Sequence, residues 1–330
     1  MLVVGANGVG KTNLLEAVHL ATQGFSPRTR TDSQVVRFGA EGARTAVSGR
    51  RGEVRLELEV AVRRGEGKRA RLNGAPLRAA EQLRTMVSTL VFTPDRLGVV
   101  KGPPAARRAY FDRVLGRFAP ARAPLPADYG AAVAQRNASL RRAAAGLAGR
   151  DAIEPWSERV AVLGAELAAA RLETLALLET PFAARAAELG LGDVSLRYEG
   201  EPPTIDRLAA VLGRDLDRGA TSLGPHLDDV AILARGRELR SFGSQGEQRL
   251  ALLALLLAEA ETIAERTGVP PLLLLDDVLS ELDPGRRRVL AARVRIAGQA
   301  LVTATDAAML PAAPDQLLEV TPGTVLEAAA

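Results

Sequence analysis

The most restrictive feature of the sequence is the segment GANGVGKT at residues 5–12, which directly follows a short apolar run. It fits the pattern G-x-x-x-x-G-K-[ST], in which backbone N–H groups of a glycine-rich turn surround phosphate oxygens. The apolar residues before it predict a strand, and Leu14, Leu15 and Val18 recur after it at helical spacing. This order predicts a phosphate-binding loop in an α/β fold, the alternative being a chance glycine-rich turn.

The residues of this phosphate loop have distinct predicted roles. Its glycines allow the backbone to curl, so that N–H groups point inward at an anion. Lys11 is predicted to reach the β- and γ-phosphates of a nucleotide, and the Thr12 hydroxyl is predicted to bind Mg²⁺. The predicted nucleotide-binding residues of the loop are Gly5, Ala6, Asn7, Gly8, Val9, Gly10, Lys11 and Thr12.

A pair of carboxylates, Asp276 and Asp277, follows a run of four leucines at residues 272–275. Such a run is typical of a strand buried on both faces of a parallel sheet, and ligands bind at the carboxyl ends of such strands. Asp276 is predicted to hold Mg²⁺, directly or through water, and Asp277 to orient or deprotonate an attacking water. The alternative is an aspartate pair that forms only a strand-end turn or a helix cap.

Upstream of the carboxylates, the segment GSQGE at residues 243–247 precedes a strongly apolar stretch. The pattern predicts a helix from about Gln248 to Glu265. Ser244 and the first N–H groups of that helix are predicted to form a second anion site. By itself, a serine at such a position is most often only a helix cap.

Together these segments resemble an ABC-type ATPase head, with GSQGE in the place of the LSGGQ signature and SELD at residues 280–283 after the second carboxylate. In that class, the signature of one head contacts the γ-phosphate held by another head. The resemblance therefore implies a head-to-tail homodimer that encloses two ATP molecules. It also implies that Ser244 and Gly246 contact the nucleotide and that Lys11, Asp276 and Asp277 are the catalytic residues.

Three positions depart from the ABC pattern. Asp277 stands where the class usually has Glu, no Gln follows the segment STLVF at residues 88–92, and LVTATD at residues 301–306 lacks the switch His of transporters. Thr303 or Thr305 is predicted to take the place of that His, and Thr303 is included among the predicted nucleotide-binding residues. The resemblance therefore implies slow hydrolysis.

Two further segments, at residues 92–112 and 221–232, contain KGPPAARR and GPHLDD. With the other motifs they resemble the RecF family over residues 1–115 and 220–310. The resemblance implies a weak DNA-dependent ATPase that binds double-stranded DNA and dimerises when ATP is bound. It also implies action with RecR and RecO at gapped or stalled replication DNA, in recombinase loading and in the SOS response.

The resemblance implies an α/β fold: an ABC-type P-loop ATPase head with a mixed sheet, a flanking antiparallel β subdomain and an inserted short helical domain. The head is predicted at residues 1–115 and 206–330, and the helical insertion at residues 116–205. Residues 119–130 are rich in proline and are predicted to be a linker. Heptad-like spacing follows, and Pro181 is predicted to interrupt the helix.

The composition excludes sites that need cysteine and favours a negatively charged partner. The chain has no cysteine, which excludes disulfides, zinc–thiolate sites and cysteine nucleophiles. No apolar run is long enough for a membrane span and no secretory signal is visible, so a cytoplasmic location without membrane partners is the expectation. Residues 1–120 contain 21 Lys and Arg against 10 Asp and Glu, which favours a phosphate-rich partner such as double-stranded DNA.

Several local alternatives remain open. The basic residues of one predicted hairpin are expected either to contact DNA phosphates or to form a solvated hairpin tip. These residues are Arg63, Arg64, Lys68, Arg69 and Arg71. The segment GPHLDD is interpreted as a turn with local hydrogen bonds, with a metal site of His226, Asp228 and Asp229 as the alternative. Arg107 and Arg108 are predicted either to bind phosphate or to pair with carboxylates.

Met1 stands closer to the phosphate loop than in the RecF family, whose members carry a first pair of strands before it. A misassigned start codon or a truncated chain is the expectation, and the alternative is a real short form with an incomplete adenine pocket. Two rival functions also remain at this stage: a transporter-type ABC ATPase subunit and a nucleotide-gated DNA scaffold without catalysis.

Overall fold

The computed structural model describes residues 1–29 and 31–328, and it contains two compact units. The first unit comprises Met1–Arg96 with Ile263–Ala330, and the second comprises Leu97–Thr262. The predicted helical insertion, 116–205, lies entirely within the second unit. That unit also contains flanking segments that the sequence assigned to the head.

The strands and helices alternate along the chain, with short 3-10 turns between some of them. The strands are β1 (Leu2–Val4), β2 (Gly42–Arg51), β3 (Val54–Arg63), β4 (Gly67–Leu72), β5 (Ala75–Pro76), β6 (Thr89–Phe92), β7 (Val194–Glu199), β8 (Asp229–Ala234), β9 (Arg237–Glu238), β10 (Leu272–Leu275), β11 (Ala300–Ala304), β12 (Leu317–Thr321) and β13 (Thr324–Ala328). The helices are α1 (Lys11–Gln23), α2 (Gly98–Lys101), α3 (Pro104–Phe118), α4 (Leu125–Ala144), α5 (Glu154–Glu188), α6 (Ile205–Ala210), α7 (Leu212–Arg218), α8 (Leu239–Phe242), α9 (Gln245–Thr267) and α10 (Pro284–Ile296).

A six-stranded mixed sheet forms the centre of the first unit, in the order β13-β12-β1-β11-β10-β6. Strand β1 pairs in parallel with β11 and β12, and β10 pairs in parallel with β11 and β6, whereas β13 is antiparallel. The predicted strands before the phosphate loop and before the carboxylates are β1 and β10. Because these strands run in parallel, their carboxyl ends meet at one edge of the sheet, as the mixed-sheet prediction requires.

A four-stranded antiparallel sheet, β2-β3-β4-β5, forms the predicted flanking subdomain of the first unit. Alternate residues of β3, namely Leu58, Val60 and Val62, are buried and form a hydrophobic cluster that includes Leu20 of α1. Strand alternation therefore places the polar residues of β3 on the opposite face of this sheet.

Helices α4 and α5 pack against each other in the second unit, as the predicted helical hairpin requires. Two local predictions are wrong. Pro181 does not interrupt α5, because Leu178, Phe182 and Ala186 continue its buried stripe on both sides of the proline. The predicted linker at 119–130 is largely a 3-10 turn and the start of α4, where prolines fit the first turn of a helix.

No helix in the described part of the chain is both long enough and apolar enough to cross a membrane.

Candidate nucleotide-binding site

The phosphate loop connects β1 to α1 in the first unit. Gly5 has φ 154° and Gly10, the residue that caps α1, has φ 115°, both within the region that favours glycine. A Cβ atom added at Gly5 would overlap the carbonyl oxygen of Val320, whereas one added at Gly10 would meet no atom within 4 Å. The loop therefore packs closely against the backbone of β12 at Gly5, whereas no atom fills the space beside Gly10.

The Lys11 side chain lies across its own loop and is only 8% exposed. Its Nζ donates hydrogen bonds to the carbonyl oxygens of Gly5 and Ala6, at 2.6 and 2.9 Å. The ammonium group is thus held over the loop, at the place where the motif predicts a phosphate.

Asp276 is the centre of a hydrogen-bond cluster at the carboxyl edge of the sheet. The Thr12 hydroxyl lies 3.1 and 2.9 Å from its two carboxylate oxygens, and the Thr303 hydroxyl donates to Oδ1 at 2.8 Å. The Thr303 oxygen also accepts the backbone N–H of Asp277, at 2.8 Å. Thr303 therefore holds the carboxylate of Asp276 and the backbone of Asp277, and the structure brings Lys11, Thr12, Asp276, Asp277 and Thr303 into one site.

Asp277 has an unusual backbone conformation and a carboxylate oxygen without a hydrogen-bond partner among the described residues. Its φ of 50° is left-handed, a conformation that Asp and Asn adopt more readily than most residues. Its Oδ1 is buried and has no hydrogen-bond partner. A buried acceptor without a partner is costly, and such costs concentrate at functional sites.

A cavity of about 250 Å³ opens between the phosphate loop and the carboxylates. Its lining combines basic, acidic and small polar side chains, from Asn7, Gly8, Gly10, Lys11, Thr12, Asn13, Arg28, Asp276 and Asp277. The sequence prediction missed Arg28, which forms an ion pair with Glu16 at 3.4 Å. In the sequence, only a short group of basic residues after α1 indicated an arginine near this site.

The donor set fits Mg²⁺ shared with a triphosphate. Thr12 and Asp276 offer hard oxygen ligands within hydrogen-bond distance of each other, and Mg²⁺ typically takes one or two protein oxygens together with phosphate oxygens and water. In the described part of the chain, no group of three or more His, Cys, Asp or Glu residues could hold a metal by itself.

Ser244 and Gly246 belong to the second unit, at the exposed start of α9. The Ser244 oxygen accepts the Glu247 N–H at 3.2 Å, and the Ser244 N–H donates to the Glu247 carboxylate at 2.9 Å. These are the reciprocal bonds of a capping box. The Ser244 N–H and hydroxyl hold the pKa of Glu247 below its ordinary value. Ser244 is therefore a helix cap, and both Ser244 and Gly246 are exposed.

The GPHLDD segment forms a hydrogen-bonded turn. The two ring nitrogens of His226 lie 2.8 Å from the Tyr129 hydroxyl and 3.1 Å from the Thr221 carbonyl oxygen. Burial lowers the pKa of His226. The Asp228 carboxylate accepts the Tyr198 hydroxyl at 2.6 Å. These side chains make local bonds in the structure and do not converge on a common point.

The two arginines of α3 pair with that turn. Arg107 is 1% exposed and forms a bidentate contact with Asp229, at 2.7 and 2.5 Å. Arg108 donates to the backbone carbonyl of Asp228 at 2.6 Å. The predicted pairing with a carboxylate is therefore confirmed for Arg107, whereas Arg108 contacts a backbone carbonyl oxygen.

The basic hairpin between β3 and β4 divides into two groups. Lys68 forms ion pairs with Asp32 and Glu81, at 3.3 and 3.6 Å, and its side chain is largely buried. The other predicted DNA contacts are exposed, namely Arg63, Arg64, Arg69 and Arg71. The Lys68 charge is therefore paired inside the unit, and contacts of the four exposed arginines with DNA phosphates stay a prediction.

Comparisons with known proteins agree with this geometry. The family described as RecF/RecN/SMC N-terminal domain matches residues 1–325. The DNA replication and repair protein RecF of Kineococcus radiotolerans is 39% identical to this chain, over 94% of the chain and 88% of the relative. The protein of the same name from Symbiobacterium thermophilum is 36% identical, over 92% of the chain and 85% of the relative.

Solved structures give the same result. The recombination mediator protein RecF with ATP, in the RecFOR pathway, matches with a TM-score of 0.88 at 28% identity, over 99% of this chain and 91% of that one. The Smc head domain of Pyrococcus furiosus, with an extended coiled coil, matches with a TM-score of 0.58 at 18% identity, over 99% and 89% of the two chains. The second match shows a common fold only.

Proposed function

Because the chain belongs to the RecF family of DNA replication and repair proteins, with the fold of an ABC-type ATPase head, we propose that it is an ATPase that binds double-stranded DNA and dimerises on ATP. The observation that carries the proposal is the single site in which the Lys11 loop, Thr12, Asp276, Asp277 and Thr303 converge. This combination of a phosphate loop and strand-end carboxylates is what phosphoryl transfer requires.

ATP binding is the first step of the proposed mechanism. The triphosphate lies in the cavity beside the phosphate loop, where N–H groups of the loop and of α1 face its oxygens. Lys11 exchanges its two carbonyl partners for phosphate oxygens. Thr12 and Asp276 would hold Mg²⁺, which neutralises phosphate charge when bound. The solved RecF–ATP structure supports this step.

Hydrolysis is the second step, and it is proposed to be slow and weakly stimulated by DNA. Asp277 orients the water and receives its proton, while Thr303 keeps the backbone of Asp277 and the carboxylate of Asp276 in place. Asp is one methylene shorter than the Glu that is usual in the class. The described site also contains no His to assist the departing phosphate.

Dimerisation follows from the position of the second anion site. Ser244 and Gly246 are exposed at the start of α9, and the Ser244 hydroxyl bonds only within its own helix cap. We assign this turn to the γ-phosphate bound by a second copy of the chain. The two copies then form a head-to-tail dimer with two shared nucleotide sites.

The DNA surface is assigned to the outer face of the β2-β3-β4-β5 sheet, opposite the buried face of β3. In the strand register, Arg44 and Arg69 lie on either side of Ala61, and Arg71 lies opposite Glu59. This outer basic face carries Arg44, Arg50, Arg55, Arg63, Arg69 and Arg71, with Glu57 and Glu59 as the acidic residues of its strands. Arg44, Arg63 and Arg69 also form exposed ion pairs with Glu59 or Glu66. The face still has an excess of positive charge, which suits the phosphates of a duplex.

We expect the double variant Arg69→Ala/Arg71→Ala to bind double-stranded DNA about tenfold more weakly in the presence of ATP. Each lost phosphate contact should also reduce the slope of log affinity against log salt by about one. The matched control is Arg142→Ala/Arg159→Ala, which removes the same charge from exposed positions of the second unit. Equal affinity and slope for both double variants would contradict the assignment.

The cellular role is proposed from the family. RecF relatives are named as DNA replication and repair proteins, and the solved RecF–ATP structure places that protein in the RecFOR pathway. We therefore assign RecR and RecO as partners at gapped or stalled replication DNA. Recombinase loading and the SOS response are the processes that this role serves.

The proposed function is tested by the retention of double-stranded DNA with ATP, with ADP and without nucleotide. Strong retention with ATP alone is the expected result, and equal retention in all three conditions would contradict it. A phosphate-release assay with DNA present then separates a slow ATPase from a scaffold that only binds ATP.

A further inference from the structure

One aromatic side chain of the first unit, Phe38, is 99% exposed. The unit has two other Phe residues and no Tyr or Trp. Phe25 packs edge to face against His19 and lies under the Arg84 guanidinium, and Phe92 is 5% exposed. Because single exposed apolar residues are common on protein surfaces, the position of the Phe38 ring in the fold is the informative feature.

The backbone on both sides of Phe38 is anchored. Val36 is 5% exposed, and Ala40 packs against the hydrophobic cluster that includes the buried residues of β3. The Ala40 N–H donates to the Arg37 carbonyl oxygen at 3.0 Å, and Gly39 within this turn has φ 81°. The ring is thus held in solvent by a closed turn between two packed residues, and it cannot reach the cluster unless the turn opens.

This turn lies at one end of the sheet that carries the outer basic face. Gly42, the first residue of β2, lies opposite Arg63, the last residue of β3. The Arg64 N–H donates to the Glu41 carbonyl oxygen at 3.0 Å, and the Arg64 Nε donates to the Ala40 carbonyl oxygen at 3.1 Å. These bonds tie the turn to the end of β3, so the exposed ring stands at the same end of the sheet as Arg63.

The charges near the turn favour a partner that carries phosphates. Arg37 and Arg64 are exposed, and the acidic residue beside them is Glu41, which is also exposed. Arg63 is paired with Glu66 at 3.7 Å, on the surface. The local balance is therefore positive and continues the excess of the outer basic face. An apolar ring next to phosphate contacts suits DNA, because the flat face of a base stacks on aromatic side chains.

A single ring suits one base at one point of the DNA. Surfaces that follow a single strand combine a basic groove with several aromatic residues on which successive bases stack. Phe38 has no such companion, since the two other Phe residues of the unit are packed against protein. Inside a continuous duplex, both faces of every base pair are covered by its neighbours. The uncovered face is that of the last base pair, where the duplex meets a single-stranded gap.

We propose that Phe38 stacks on the last base pair of a duplex at a single-stranded gap, while the outer basic face holds the phosphates of the same duplex. This inference rests on the proposed DNA-binding function. The phosphate contacts bind any duplex, whereas the ring adds affinity only where the base stack ends. Phe38 therefore gives the protein a preference for gapped over continuous duplex DNA.

The test compares binding, with ATP, to a closed circle of duplex DNA and to the same circle with a short single-stranded gap. We expect wild type to bind the gapped circle about tenfold more tightly, and Phe38→Ala to bind both circles as wild type binds the closed one. The slope of log affinity against log salt on the closed circle should be the same for both proteins, because the ring carries no charge. Leu147→Ala is the matched control, since Leu147 is 72% exposed in the second unit, and it should keep the preference.

A second variant reports on the ring directly. Trp156 is the only tryptophan of the chain, so Phe38→Trp combined with Trp156→Phe places one fluorescent ring in the turn. Its emission should be quenched by the gapped circle and not by the closed circle. The thermal midpoint and the ATP-dependent dimerisation of Phe38→Ala should equal those of wild type, because the ring is exposed.

The possible results separate this inference from the proposed function. A full gap preference in Phe38→Ala, or equal wild-type affinity for the two circles, overturns the role of Phe38 and leaves the proposed function standing. Loss of ATP-dependent dimerisation in Phe38→Ala also overturns it, since the ring would then contact protein. A wild-type protein that binds neither circle with ATP overturns the proposed DNA-binding function, and the role of Phe38 with it.

Discussion

A Lys11→Met variant is expected to bind ATP about 10- to 100-fold more weakly than wild type and to stay monomeric at nucleotide concentrations that dimerise it. Loss of one charge-assisted contact to phosphate costs about 1.5–3 kcal/mol, and Lys11 is the residue whose ammonium is already held over the loop. Met has a similar length and is readily buried, so the fold should be retained. Nucleotide titration measures the affinity for ATP, and light scattering measures whether the variant dimerises.

Lys101→Met is the control for that experiment, because Lys101 is exposed and lies outside the phosphate loop. It should bind ATP and dimerise as wild type does. If Lys11→Met dimerised normally with ATP, the assignment of the phosphate loop would be wrong.

An Asp277→Asn variant is expected to release phosphate at least about 100-fold more slowly and to remain a dimer after ATP is added. Asn can adopt the left-handed backbone of this position and keeps an oxygen, but it cannot accept the proton of the water. The expected result is a dimer that persists long after the wild-type dimer has turned over. Phosphate release measures the rate of hydrolysis, and light scattering over time measures how long the dimer persists.

Asp276→Asn is the informative comparison, because Asp276 is the proposed Mg²⁺ ligand and the partner of Thr12. That variant should fail to dimerise with ATP and Mg²⁺, whereas Asp277→Asn should succeed. A normal rate of phosphate release by Asp277→Asn would contradict the assigned role.

The central elements of the site could be predicted from sequence because each lies in a short continuous pattern. The glycine spacing before Lys11 specifies the curl of the loop, and the four leucines before Asp276 specify a strand that ends at the sheet edge. Parallel pairing then brings the two segments together, although more than 260 residues separate them. The roles of the individual side chains in ATP chemistry remain predictions that the experiments above test.

Other features could not be predicted because they depend on tertiary contacts. The ion pairs of Lys68 with Asp32 and Glu81 form only in the folded chain, because the hairpin sequence identifies neither carboxylate as its partner. Arg107 and Asp229 are 122 residues apart, and nothing in either local pattern identifies the other as its partner.

In the proposed dimer, the Lys11 loop of one copy and the Ser244 turn of another hold the same triphosphate. The chain has no cysteine, so single cysteines can be introduced without background. Variants Asn7→Cys and Gln245→Cys, each shown to bind ATP, are mixed and treated with a short bis-maleimide. We expect a cross-linked pair between the two variants with ATP and little with ADP, and none within Asn7→Cys alone. Equal cross-linking without nucleotide, or none with saturating ATP, would contradict it.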